Sequence, residues 1–188
     1  MHCCTYLITK ELPTDSDIEQ IFTPWYEDDS ENPSSPIRLD SLNVGGRYNG
    51  LLKLKTSDTV IDYGFNFLRT EYRAGKLFRS QLLEELQKTS SPYRISNYWE
   101  NYFLGTLGYR DGYIHVDGCK IADLANFDYV AGCSYYFVDI DKTVIKREEY
   151  DRTNEKLIAN NTYESTVRIL LEKRMAEGCY ITVLDVHY

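Results

Sequence analysis

The closing residues of the sequence combine an acid and a base at a spacing that suits proton transfer. Asp185-Val186-His187 ends an apolar, β-prone stretch that begins at Cys179. Because side chains alternate across a strand, Asp185 and His187 point to the same face. A carboxylate can orient an imidazole and stabilise its charged form, so we interpret His187 as a general acid or base and Asp185 as its partner. A solvated strand end is the competing interpretation, and the motif taken alone favours it.

A glycine pair supplies the second candidate site. In Gly45-Gly46-Arg47-Tyr48 the backbone N–H groups could cradle an anion while the Arg47 guanidinium binds a phosphate or carboxylate. The segment lacks the Lys and Ser/Thr of a phosphate-binding P-loop, and it is not a dinucleotide-binding fingerprint. We therefore predict a phosphate or ligand site at these four residues, with a plain turn as the alternative.

An acidic loop and a basic helix are the remaining charged features. Glu27 and the two aspartates after it could hold a hard cation if the loop folds back, but a solvated loop is the stronger interpretation and we predict no metal site. Arg69, Arg73 and Lys76 recur at helical spacing and form a local basic stripe that could contact an RNA backbone. Such stripes are more often solvated helix faces.

The two ends of the chain carry the clearest secondary-structure patterns. Residues 3–9 are short, apolar and β-prone, and Thr14-Asp15 then offers a helix N-cap. Asn161-Thr162 can cap a helix that ends before Gly178 and carries Val167, Leu170, Leu171 and Met175 inward. A strand follows over residues 180–186. Because first and last strands often pair at the centre of α+β sheets, we predict that both are internal and that the last helix packs on them.

The middle of the chain gives a weaker pattern. Residues 64–88 are helical in periodicity, broken near Gly75, with Phe78, Leu82 and Leu86 on one stripe. Short strands account for the rest of the predicted structure: 37–39, 51–54, the residues around Ile114 between glycine turns at 111–112 and 117–118, and a hairpin over 135–146. These elements predict an α+β fold with a central mixed or antiparallel sheet and helices packed on it.

Composition limits the classes of protein that the chain can belong to. Its 188 residues fit one domain, 1–188, and a hydrophobic content of 43% is typical of a globular protein. The net charge of -8 argues against a general nucleic-acid coat protein. The sequence has no long apolar run and no signal-peptide pattern, which predicts a cytoplasmic location. The five cysteines lack a C-x-x-C pair and are expected to be free, mostly buried thiols.

Three separated motifs together resemble a family of small proteins from phages and other mobile elements. They are Pro24-Trp25-Tyr26-Glu27, the stretch from Asp40 through Gly45-Gly46-Arg47-Tyr48, and Asp185-Val186-His187, and they occur in the family's order. Residues 65–113 find little match, so the resemblance implies that they form a helical and aromatic insertion. In size and acidity the chain also resembles the anti-CRISPR inhibitors of type II effector nucleases.

These motifs lead to a functional hypothesis. We expect Glu27, Asp40, Arg47, Asp185 and His187 to converge, because they fall near the ends of strands that should be neighbours. Such a cluster could cleave a phosphodiester, with Arg47 stabilising the charge on phosphorus. That activity would make the protein a ribonuclease.

The resemblance implies an inhibitor of a host RNA-guided nuclease that cuts or displaces the guide RNA. The partner would be the host CRISPR effector ribonucleoprotein with its guide RNA, and no cofactor is specified. Two alternatives remain: a small-molecule or nucleotide binder that uses the Gly-Gly-Arg turn, and a structural interaction protein without catalysis.

Overall fold

Eight of the described strands form one mixed sheet, and helices pack on both of its faces. The structure is a computed structural model that describes residues 2–26, 37, 39–54, 60–90, 93–96, 113–151 and 153–187, with the backbone alone at 60–66, 83, 87, 89, 90 and 150. The strands are β1 His2–Thr9, β2 Ser41–Val44, β3 Leu52–Leu54, β4 Arg94–Ile95, β5 Ile114–Lys120, β6 Tyr136–Val138, β7 Val144–Lys146, β8 Glu148–Asp151, β9 Lys156–Ala159 and β10 Tyr180–His187. The helices are α1 Asp15–Phe22, α2 Val60–Arg73, α3 Arg79–Ser90, α4 Phe127–Cys133 and α5 Tyr163–Ala176.

Strands β1 and β10 lie at the centre of the sheet. The main order is β3-β5-β10-β1-β6-β7, and β8 and β9 form a separate hairpin. β10 runs antiparallel to β1 over its whole length, from Tyr180 opposite Thr9 to His187 opposite His2. Along its other edge β10 pairs with β5 through one half and with β2 through the other. The prediction that both end strands are internal is therefore confirmed.

Alternation along β1 and β10 divides the core into two layers. On one face Tyr6, Ile8 and Val183 pack with helices α2 to α5. On the other face Leu7 and Leu184 pack with α1 and with the segment that follows it. An apolar residue at nearly every central position of both strands is what burial on two faces requires. The predicted α+β fold is confirmed.

Local signals explain the helices nearest these strands. Thr14 caps α1, and a reciprocal pair of hydrogen bonds with Asp17 completes a capping box. α5 buries residues at positions 163, 167, 171 and 174, and Gly178 just beyond its end has a φ of 75°. Met175, predicted to point inward, is 37% exposed because that buried stripe passes one position before it.

Two predictions for the middle of the chain are wrong. Residues 117–118 were expected to form a turn, but β5 continues through them and Asp117 is buried. Phe78 was placed on the buried stripe with Leu82, yet its side chain is 76% exposed. The helix stops at Arg73 and restarts at Arg79, so Phe78 precedes the first turn of α3 and loses its phase with Leu82.

The remaining expectations are met in part. Of the predicted strand over 37–39, residue 38 lies outside the described ranges and Leu39 makes a single bridge to Tyr26, while the strand β2 begins two residues later. The hairpin over 135–146 is present as β6 and β7. The described cysteines are free thiols, and all but Cys133 are buried. None of the helices in the described ranges is long and apolar enough to cross a membrane. The described part of the predicted insertion forms α3, β4 and most of α2, whereas residues 91–92 and 97–112 lie outside the described ranges.

Candidate functional site

Two histidines meet at one end of the central strand pair. His2 on β1 lies directly opposite His187 on β10, so both side chains are on the same face of the sheet. Their ring centroids are 4.8 Å apart and their planes are tilted by 57°. The side chains are 31% and 38% exposed, so solvent and a small substrate group can reach both rings.

Each imidazole is held by its own carboxylate. His2 Nδ1 lies 2.9 Å from Asp185 Oδ1, and His187 Nδ1 lies 3.1 Å from Asp40 Oδ2. The backbone N–H of Asp40 also donates to the His187 carbonyl oxygen at 2.8 Å, which fixes the second pair. Because both Nδ1 atoms are engaged, the Nε2 atoms remain for chemistry, and neither has a hydrogen-bond partner among the described residues.

The pairing of acids with bases differs from the one expected. Asp185 was assigned to His187, two residues along the same strand, but its Oδ1 bonds the imidazole of His2 on the neighbouring strand. His2 is diagonal to Asp185 across the strand pair, because the register places His187 opposite His2 and Cys4 opposite Asp185. The Asp185 side chain therefore crosses to the neighbouring strand, and Asp40, from the segment before β2, lies beside His187 instead.

The glycine turn is packed against the buried carboxylate of Asp185. Strand β2 pairs with β10 and delivers Gly45, whose N–H donates to the Val183 carbonyl at 2.8 Å. Gly45 and Gly46 have φ values of 68° and 51°, in the left-handed region that favours glycine. A Cβ at Gly46 would lie 2.7 Å from Asp185 Oδ2. This close approach lets the N–H of Arg47 donate to the same oxygen at 3.0 Å.

Asp185 therefore has a partner for both of its oxygens. Oδ1 faces the His2 imidazole and Oδ2 accepts from the Arg47 backbone, while the side chain is only 4% exposed. A buried carboxylate needs such partners, because an unpaired one would cost several kcal/mol. The glycine turn and the first histidine are thus fixed by one side chain.

A second buried carboxylate, Asp117, supports the far end of the turn. Its Oδ1 accepts from the Gly50 N–H at 2.7 Å, and a Cβ at Gly45 would lie 2.5 Å from its Oδ2. Burial raises the pKa of Asp117 to about 7, against the opposing effects of the Gly50 N–H and of Arg94. On the same strand, His115 Nδ1 lies 2.8 Å from the Gly50 carbonyl oxygen. Residues 45–50 are thereby held at both ends.

Arg47 and Tyr48 reach away from the turn. The Arg47 side chain is exposed and, with Tyr48, lines a cavity of about 420 Å³ that also borders Lys53, Asn126 and Tyr129. The Tyr48 hydroxyl donates to the His2 carbonyl oxygen at 3.2 Å. Tyr48 thus connects the cavity with the strand that carries the first histidine.

The described members of the predicted catalytic and turn set lie together. Asp40, Asp185 and His187 share the histidine cluster, and the turn of Gly45, Gly46, Arg47 and Tyr48 is bonded to it. Glu27 lies outside the described residues. The catalytic role of Glu27, and the cation contact considered for it and the two aspartates after it, therefore stay predictions.

The basic stripe does not form as one helical face. α2 ends at Arg73, and Lys76 lies beyond Gly75 with its Nζ 2.9 Å from Glu71 Oε1. Arg69 is half-buried on α2, whereas Arg73 is exposed. An RNA contact at these residues stays a prediction.

Sequence reasoning gave no role to two residues of this site. Nothing near His2 in the sequence suggests a partner, and Asp117-Gly118 has the composition of a turn. The available signal for His2 was indirect: if β1 and β10 pair antiparallel with aligned ends, His2 must oppose His187. Asp117 offered no comparable signal, since its role depends on Gly45 and Gly50.

A nearby thiol does not supply a nucleophile. Cys4 lies opposite Asp185 on the same face of the sheet. Burial is the main cause that raises the pKa of the Cys4 thiol to about 12, with a smaller contribution from Cys133. Because the thiolate is the reactive form, Cys4 remains an unreactive thiol near neutral pH.

Neither a metal cluster nor a relative identifies the site. Within the described ranges no group of three or more His, Cys, Asp and Glu residues is arranged to hold a metal ion. Comparison with protein-family models, with curated proteins and with solved structures finds no match to this chain.

Proposed function

We propose that the protein is a ribonuclease that cleaves RNA by acid–base catalysis at His2 and His187. The observation that supports this most directly is the pair of facing imidazoles, each with its Nδ1 within 3.1 Å of an aspartate oxygen. A carboxylate on Nδ1 sets the tautomer and stabilises the imidazolium that forms during proton transfer. Two such histidines side by side provide one base and one acid.

The chemistry of the cluster favours RNA as the substrate. Cys4 is unreactive, so we take the attacking group from the substrate, and RNA carries a 2′-hydroxyl beside each phosphodiester. One neutral imidazole accepts the 2′-hydroxyl proton through Nε2 while the 2′-oxygen forms a bond to phosphorus. The bond to the 5′-oxygen breaks, and that oxygen takes a proton from the other imidazolium. The products are a 2′,3′-cyclic phosphate and a free 5′-hydroxyl.

The net charge favours RNA that is presented by another protein. With 21 basic and 29 acidic residues, the chain repels a free polyanion at long range. An acidic surface instead complements the basic nucleic-acid channel of an RNA-guided nuclease. We therefore propose the guide RNA of a host CRISPR effector as the substrate, which keeps the inhibitor function that the family resemblance implies.

A cleavage assay tests the chemistry directly. Wild-type protein is incubated with an end-labelled RNA oligonucleotide, with the matching DNA, and with a loaded effector, each with and without a chelator. We expect RNA to be cut to 2′,3′-cyclic phosphate ends and DNA to stay intact. His2→Ala and His187→Ala should each lower the rate by about 10²–10⁴-fold. The rate should pass through a maximum with pH, because one imidazole must be neutral and the other protonated.

Two controls separate catalysis from structure and from contamination. The double variant His2→Ala/His187→Ala, purified in the same way, measures any contaminating ribonuclease. Added imidazole should restore part of the activity of His187→Ala, since that side chain is 38% exposed. Full-length RNA in every arm would contradict the ribonuclease, and if the effector were still inhibited the protein would act by occlusion.

A further inference from the structure

We infer that the cavity beside the glycine turn is a nucleotide-binding subsite, which takes the phosphate and base next to the bond that is cut. The cavity holds about 420 Å³, within the range of about 300–1,000 Å³ that is usual for small-molecule sites. This inference deepens the proposed ribonuclease function and rests on it for the fate of the nucleotide, although binding itself can be measured separately.

The two cations at the cavity indicate an anionic ligand. Arg47 and Lys53 both line it, in a chain whose net charge is -8. The Lys53 ammonium lies 5.5 Å from the centre of the Tyr113 ring, which places the charge beside an aromatic face. Arg47 can bind two phosphate oxygens with its planar guanidinium, and Lys53 adds a point charge.

The aromatic groups of the cavity indicate that the ligand also carries a base. Tyr48 and Tyr129 line it, and the Tyr129 side chain is 59% exposed and therefore accessible for stacking. Asn126 is a structural residue, because its side chain accepts from the Lys53 N–H and donates to the Leu51 carbonyl.

The cavity is preformed on the side of the turn. Asn49 Nδ2 donates to the Gly46 carbonyl at 3.1 Å, and Asp117 and Asp185 hold the backbone N–H groups of Gly50 and Arg47. A rigid wall lowers the entropy lost on binding. Tyr48 lines the cavity and also bonds the His2 backbone, so the cavity lies beside the strand that carries the first histidine.

Calorimetric titration of a catalytically inactive protein tests the subsite without turnover. The double variant His2→Ala/His187→Ala is titrated with adenosine 5′-monophosphate, adenosine and inorganic phosphate. We expect the monophosphate to bind at least tenfold more tightly than either fragment, and to bind more weakly as salt increases. Adding Arg47→Gln, Lys53→Met or Tyr129→Ala should each weaken binding about tenfold or more.

Matched controls come from exposed residues elsewhere. Lys173→Met removes one positive charge from α5, and Phe78→Ala removes an aromatic ring that is 76% exposed, so neither should change the affinity. Circular dichroism confirms that each variant is folded.

The outcomes separate this inference from the function on which it rests. No binding, or binding that the three cavity substitutions leave unchanged, overturns the subsite even if RNA is cut. Equal affinity for adenosine or for inorganic phosphate overturns it as well, because one of the two recognition elements would then be idle. Binding that is lost in the cavity variants supports the subsite. If wild-type protein also cut no RNA, the ribonuclease function would fail, but the nucleotide-binding subsite would still stand.

Discussion

Replacing Gly46 with alanine tests the packing of the glycine turn on Asp185. Gly46 has a φ of 51°, and a Cβ there would lie 2.7 Å from Asp185 Oδ2. The carboxylate is buried and bonded to both His2 and the Arg47 N–H, so it has little room to move. The turn must therefore shift away, which breaks the hydrogen bond from Arg47.

The size of the effect follows from two contributions. An L-residue in the left-handed region costs about 1–2 kcal/mol. A lost hydrogen bond to a charged acceptor costs about 1.5–3 kcal/mol. Gly46→Ala should thus lower the free energy of unfolding by about 2.5–5 kcal/mol.

Gly75 provides a matched control within the same chain. It has a φ of 72°, and a Cβ there would meet nothing within 4 Å. Gly75→Ala should therefore cost only the backbone contribution of about 1–2 kcal/mol. The difference between the two variants isolates the contact with Asp185.

Urea unfolding, followed by circular dichroism at constant pH, measures both variants against wild type. RNA cleavage by Gly46→Ala should also fall, because the turn positions Arg47 and, through Asp185, the imidazole of His2. If Gly46→Ala is no more destabilising than Gly75→Ala, the turn does not press on Asp185 and our account of the site is incorrect.

Two further measurements test buried groups. Burial raises the pKa of Asp117 to about 7 from an ordinary value near 4. Between these two values the folded state holds a proton that the unfolded state releases, so the free energy of unfolding should fall as pH rises from about 4 to 7. The loss, on the order of 4 kcal/mol, should be absent in Asp117→Asn, and identical pH profiles of the two proteins in urea unfolding would refute it. Leu82→Ala, at a fully buried position, should lower the free energy of unfolding by about 2–5 kcal/mol, whereas Phe78→Ala should change it by less than about 0.5 kcal/mol. Equal losses would mean that Phe78 is buried beside Leu82, as the sequence pattern predicts.

The elements whose formation depends on near neighbours could be predicted from the sequence alone. The capping residue Thr14 and the alternation that puts Asp185 and His187 on one face are local properties, and the structure has both. Helix and strand periodicity predicted α5 and β10 for the same reason. Gly75, which has a φ of 72°, lies between α2 and α3 and divides the predicted helical segment into these two helices.

Where local signals competed, contacts with distant segments set the conformation. Asp117-Gly118 has the composition of a turn, but pairing with β3, β4 and β10 keeps it extended within β5. Phe78 fits a helical stripe, yet the stripe requires an unbroken helix. In both cases the environment supplied by distant segments outweighs the preference of the residues themselves.

The candidate site shows the same division at the level of single bonds. The residue types and the convergence of Asp40, the glycine turn and the last strand could be predicted, because each motif lies at the end of a recognisable element. The partners could not, since His2 and Asp185 are 183 residues apart in sequence and meet only through the register of β1 on β10. Register depends on how both faces of the sheet are buried, which is a property of the whole fold, and that register makes two separate acid–base pairs out of one short motif.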